Sequence, residues 1–228
     1  MIQQIAELPP RTLARIAGGL YLIVIISGFF AEGLVPSMII VAGNPASTLQ
    51  NILSHDLLYR SSIAVHLIAL VCNIPLAVIF YELFKIVNRR ISLLVVFFTL
   101  VGTAVEAVAL LYQFQPLILL GNSQYSSAFT PSQLQVLVSM PLDLQTAGFD
   151  VTLVFFGFYC LSLGYLLFRS TFLPRVLGVL LAVGGGCYLF NSFATFLDPA
   201  FAAYLFPYIQ LPSLIGEGSF CIVMFVKG

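Results

Sequence analysis

Charge is what this chain has least of. Lysine, arginine, aspartate and glutamate make up 8% of the 228 residues, and nine cations cancel nine anions. A soluble domain carries about 25% charged residues. So small a supply excludes an ordinary water-soluble fold, a disordered chain, and a nucleic-acid binder that grips phosphates with lysine and arginine. The zero balance offers no bulk attraction to an acidic or basic partner.

Other absences narrow the chemistry. Cys72, Cys160, Cys187 and Cys221 are dispersed without paired spacing, which reads as small buried residues with neither a redox pair nor a zinc site. The only histidine besides His66 is His55, so no metal-ligand set is expected, and no cofactor. The chain has no nucleophile elbow, paired-histidine metalloprotease helix, nucleotide-phosphate loop or EF-hand pattern. Neither lysine lies deep in an apolar run, which excludes a retinal Schiff base, and no arginine series suggests a voltage sensor. No repeat of three segments against three is evident, so the inverted-repeat argument for a secondary transporter has no support.

What is present is apolar: 60% of the residues are hydrophobic and the mean hydropathy is +1.05. Six runs approach the roughly 20 residues that cross a hydrocarbon core. They are Ala14–Val35, Ser61–Phe84, Ile91–Leu120, Ala147–Phe168, Leu173–Leu197 and Ile209–Val226. The expected fold is all-α: an integral membrane bundle of about six transmembrane helices, with short amphipathic helices on the outer side. Residues 1–13 form an N-terminal cytoplasmic segment and residues 14–228 a single six-helix domain in this reading. Pro116 predicts a kink or an early end in the third run. The first run exceeds the usual signal-peptide core and lacks a clear cleavage site, so it reads as a retained span.

Basic residues set the expected orientation. Arg11 and Arg15 precede the first run, Lys85, Arg89 and Arg90 separate the second from the third, Arg169 and Arg175 bracket the next short turn, and Lys227 closes the chain. With six crossings all of these fall on one side, with Arg60 alone on the other. The expectation is a multi-pass protein of the cytoplasmic membrane with both termini cytoplasmic. On the outer side, Asn44–Leu58 reads as an amphipathic helix capped by Asn44 and opened by Pro45. A similar segment starts at Thr130–Pro131 and runs through Met140. Both are expected at the headgroup interface.

Within the runs, polar and small residues fall on stripes at helical spacing. They are Tyr21, Gly28 and Glu32; Tyr59, Ser62, His66 and Asn73; Thr99, Gly102, Glu106 and Gln113; Thr146, Asp150, Gly157 and Gly164; Gly184, Cys187, Asn191 and Thr195; and Gln210, Ser213 and Glu217. Lipid cannot satisfy such groups, so the stripes turn inward. Most acids then gather toward the outer half, predicting a polar chamber there lined by Glu32, Arg60, His66, Glu106, Asp150, Asn191 and Glu217. Glu106 stands out: an ionised carboxylate at mid-bilayer costs at least about 2.5–3.5 kcal/mol. It is therefore expected to be protonated, paired with Arg60 or His66, or bathed by water. It reads as a ligand contact or proton carrier, against the plainer role of an acid bonding one helix to another. His66 reads as a hydrogen-bonded interior histidine more than a metal ligand.

Five ordered blocks carry a family likeness: Ala17–Glu32 (AGGLYLIVIISGFFAE), Asn51–Arg60 (NILSHDLLYR), Leu142–Ser170, Leu173–Leu197 and Gly216–Gly228 (GEGSFCIVMFVKG). Over about Arg15 to Lys227 the chain resembles the bacterial membrane-protein family catalogued as domain of unknown function 4386. The resemblance implies a multi-pass helical fold and brings no settled activity or catalytic residues with it. Against it the chain departs at three positions: Gln145 stands where histidine is frequent, and His66 and Asn73 where aspartate is frequent.

Two classes of function remain. One is a non-catalytic receptor, carrier or accessory protein holding a small amphiphile or lipid in the outer chamber. The other is a membrane-embedded enzyme that protonates a lipophilic, terpene-like substrate with Glu106 or Glu217, aided by Tyr112 or Tyr188. The second is an analogy of size and chemistry. The lipid bilayer is the one assured partner in either case.

Overall fold

The computed structural model describes residues 9–227. Gly228 and most of the expected N-terminal segment 1–13 lie outside them. Among the described residues every regular element is helical. Pro10–Ile39 forms α1, with Pro10 in the first turn where its missing N–H costs nothing. Then come α2 (Pro45–Ser54), α3 (56–87), α4 (89–121), α5 (Ser123–Ser127), α6 (Pro131–Arg169), α7 (Arg175–Leu197), α8 (Pro199–Leu205), a single 3-10 turn (Tyr208–Gln210) and α9 (Leu211–Lys227).

The helical stretch from Asp56 to Gly121 spans 66 residues, which as one rod would extend about 100 Å, far beyond a bilayer. It is two helices. Asn88 leaves helical geometry at φ −158°, ψ 106°, and its side-chain Oδ1 accepts from the N–H groups of Arg90 and Ile91. That satisfies orphan donors at the start of α4, as an N-cap does. Contacts across the turn fix the antiparallel register. Tyr59 Oη donates to the Gln113 carbonyl at 2.8 Å, and His66 Nε2 meets Glu106 Oε1 at 2.8 Å. Five helices long and apolar enough to cross a membrane, one of them folded into this hairpin, therefore make six crossings.

The crossings close on themselves. α1 packs on the hairpin, the hairpin on α6, α6 on α7, α7 on α9, and α9 back on α1. One apolar core (Tyr21, Phe80, Phe84, Tyr159, Leu163, Leu181, Phe220) fills the half toward the Asn88 turn. A second (Ile39, Ile52, Ile63, Leu110, Val138, Leu142) fills the opposite half, under α2. The outer surface keeps large apolar side chains such as Ile26, Phe29, Val71, Phe193 and Leu214 exposed, as lipid contact requires. The fold is an all-α membrane bundle.

Three local expectations resolve differently. The Asn44 helix forms with its cap bond from Ser47 N–H, but ends at Ser54, and α3 begins at Asp56. The segment from Thr130 to Met140 is no separate helix. Thr130 caps α6 with a reciprocal Gln133 contact, and the helix continues through Pro141 into the membrane run, about 58 Å in all. Proline costs a helix interior one hydrogen bond; here Val138, Pro141 and Leu142 are buried, and packing holds the helix straight through. Likewise α4 passes Pro116, which is buried, and stops at Gly121.

A candidate binding cavity and its buried polar layer

Between the two cores lies a polar layer, built from one residue of each of four helices. Glu32 comes from α1, where Phe29–Leu34 form a π-helical turn; the Val35 N–H reaches back five residues to the Phe30 carbonyl. Such insertions inside α-helices recur at functional sites. His66 comes from α3, Glu106 from α4 and Gln145 from α6. His66 is 1% exposed. Its Nδ1 lies 2.8 Å from Glu32 Oε1 and its Nε2 2.8 Å from Glu106 Oε1. The Nε2 contact is an aligned hydrogen bond; the Nδ1 contact is close but out of line, so it acts as a charge contact. The Gln145 amide donates to both oxygens of Glu32 at 3.0 Å.

A neutral imidazole has one N–H and one lone pair, and a protonated one has two N–H groups. With a carboxylate oxygen 2.8 Å from each ring nitrogen, the site has an acceptor on both sides of the ring and can hold a proton between His66 and the two carboxyl groups.

Glu32 and Gln145 also form part of the wall of a cavity of about 380 Å³ between α1, α6, α7, α8 and the 3-10 turn. Asp150, Asn191, Thr195 and Gln210 add polar groups; Phe149, Leu153, Phe206 and Ile40 add apolar ones. The wall contains two carboxyl groups and no lysine, arginine or histidine. Asn191 is 7% exposed, and its side-chain amide makes no hydrogen bond among the described residues. The residue is largely buried, but its unpartnered amide atoms stay open on the cavity wall, where a ligand or water can reach them. Asp150 likewise has no hydrogen-bond or ion-pair partner among the described residues. No group of three or more His, Cys, Asp and Glu residues there is arranged to hold a metal ion.

The seven residues expected to share one chamber thus divide. Glu32, Asp150 and Asn191 line the cavity. His66 and Glu106 stand behind Glu32. Glu217 sits apart, buried between two phenols: Tyr21 Oη donates to its Oε2 at 2.9 Å and Tyr188 Oη to its Oε1 at 2.6 Å. Arg60 is exposed and paired with Asp56 one turn earlier, at 2.8 Å, beside a separate apolar groove lined by Leu67, Phe114 and Leu117. Of the two tyrosines weighed as partners of an acid, Tyr188 touches Glu217, while Tyr112 faces outward. Sequence reasoning missed Gln145 and Phe149 as cavity residues. Gln145 and His66, two of the three departures noted above, touch the same carboxylate, a proximity that one sequence does not reveal.

Fold and layer together define a class: a six-crossing helical membrane protein with a buried histidine set between two half-buried carboxyl groups of neighbouring helices. Within that class the chain belongs to the family described as domain of unknown function (DUF4386), whose model matches residues 16–228. No curated protein and no solved structure matches the chain.

Proposed function

We propose that this protein binds a small amphiphilic or lipid-like molecule in the cavity beside Glu32, and that it does so in the outer half of the cytoplasmic membrane with both termini in the cytoplasm. One observation carries the reading: a cavity of about 380 Å³ opens between α1, α6, α7 and α8, and its wall combines apolar residues such as Phe149 and Leu153 with unpartnered Asp150 and Asn191 groups. Ligand sites combine that kind of apolar wall with a few converging polar groups. The same end of the bundle carries the longer connections, and the opposite end carries eight of the nine basic residues, which favours placing the cavity outside.

The test is native mass spectrometry of protein purified in mild detergent. Wild-type protein is expected to retain a bound amphiphile, and Ala203→Phe, which fills the cavity from α8, to lose it. A wild-type protein that carries no adduct, or an adduct that survives Ala203→Phe, overturns the reading.

A further inference from the structure

The walls of the cavity select among amphiphiles. We propose that its ligand is a lipophilic organic cation, bound in exchange for the proton that His66 shares with Glu32 and Glu106. The inference rests on the binding reading above and specifies its chemistry. Two carboxyl groups, Glu32 and Asp150, face the space, and no basic side chain lies on its wall to neutralise them. An anion would face two carboxyl groups with no cationic side chain on the wall to attract it. A neutral amphiphile would leave Asp150 without a counter-charge in a low-dielectric site, where an unpaired charge is costly. The amides of Gln145, Asn191 and Gln210 orient a polar head, and Phe149 and Phe206 offer faces to an alkylammonium group.

Exchange follows from the position of Glu32, which belongs both to the cavity wall and to the His66 layer. The groups facing His66 are Glu32 from α1 and Glu106 from α4, each 2.8 Å away. From α6 the nearest is the Gln145 amide, which does not titrate and is bonded to Glu32. Asp150 lies farther along the same helix, and α3 itself adds no charged group at this level. A cation arriving at Glu32 takes over the role the imidazolium plays from the other side. The balance is one for one: the cation enters, one proton leaves the His66 layer for water through the cavity mouth, and the total charge is unchanged. The histidine then keeps the single N–H that its aligned bond to Glu106 uses.

The test is calorimetric titration of the full chain in nanodiscs of zwitterionic lipid. Three probes of one shape serve: benzyltrimethylammonium, its uncharged carbon isostere neopentylbenzene, and phenylmethanesulfonate. The quaternary cation carries no proton of its own, so any proton released belongs to the protein. It is expected to bind at least about tenfold more tightly than either other probe. Repeating the titration in buffers of different ionisation enthalpy is expected to show about one proton released per cation bound. Asp150→Asn weakens the cation selectively, and His66→Asn abolishes the released proton. The wild-type comparison stands alone should either variant fail to fold. Equal binding of the cation and its carbon isostere overturns the cation assignment and leaves an amphiphile cavity. Cation binding without proton release overturns the exchange. Binding by none of the three overturns the cavity reading as well.

Discussion

Glu217 shows how a single buried carboxyl group is accommodated. Its two oxygens take phenol bonds from two different helices, and the nearby Phe220 and Phe80 seal Tyr21 in place through edge-on ring contacts. Membrane hydrogen bonds average about 0.6 kcal/mol and reach about 1.7. The Tyr188 bond is short, at 2.6 Å, and its acceptor is buried, so it belongs at the upper end. Tyr188→Phe is expected to lower stability by about 1–2 kcal/mol. Tyr112→Phe, at a residue facing outward with no hydrogen bond, is expected to change nothing. Thermal unfolding of both variants in one detergent checks the pair. Equal melting temperatures for Tyr188→Phe and wild type would show that the bond carries no weight. At this scale the sequence revealed which residues turn inward, because a polar side chain in an apolar helix has nowhere else to go. Which residues meet was not legible. Glu106 has His66 as its partner and not Arg60, because Arg60 closes on Asp56 within its own helix. That choice depends on helix rotation, which helical spacing does not determine.

Elements meet most closely where glycines face glycines. In the antiparallel pair α6 and α7, Gly164 sits against Gly178 and Gly157 against Gly185, one heptad step along each helix in matching register. A methyl group on Gly178 would come within 2.5 Å of the Gly164 carbonyl oxygen and 2.6 Å of the Phe168 nitrogen. Both are backbone atoms that cannot swing aside. Small residues allow this approach, and packing at that distance is a main source of cohesion between helices in lipid. Gly178→Ala is expected to cost about 1–3 kcal/mol by overpacking. Gly186→Ala, whose new methyl meets nothing within 4 Å, is expected to be neutral or stabilising by up to about 1 kcal/mol. Melting of the two variants side by side distinguishes interface packing from general helix propensity, since propensity alone would stabilise both. Gly157 and Gly164 were visible in the sequence as part of a polar-and-small stripe, whereas Gly178 and Gly185 were not, because the stripe on α7 runs through Gly184, which faces Ser213 of α9 instead. The π turn around Glu32 was not visible either, because an inserted residue leaves no compositional mark. The continuity of α6 also escaped, since proline at 141 argues locally for a break that only the packing of Val138 and Leu142 overrides.

At the scale of the whole molecule, the zero net charge separates into two unlike ends. The short turn at Asn88 and the turn between Arg169 and Arg175 lie at the end that gathers eight of the nine cations, whereas α2, α5 and α8 cover the other. This division was legible from sequence because it needs only the number of crossings and the order of the charges. Cytoplasmic connections retain lysine and arginine, so the Asn88 end is expected inside and the cavity end outside. The four native cysteines all sit within crossing helices, which leaves the connections free for a probe. Ser127→Cys, exposed at the end of α5, is expected to react with a membrane-impermeant maleimide on intact cells. Thr171→Cys, exposed in the turn before α7, is expected to react only after the membrane is permeabilised. The reverse pattern would invert the bundle and place the acid-lined cavity toward the cytoplasm. Labelling of both sites from outside would break the six-crossing count itself, because the two connections are separated by α6 alone.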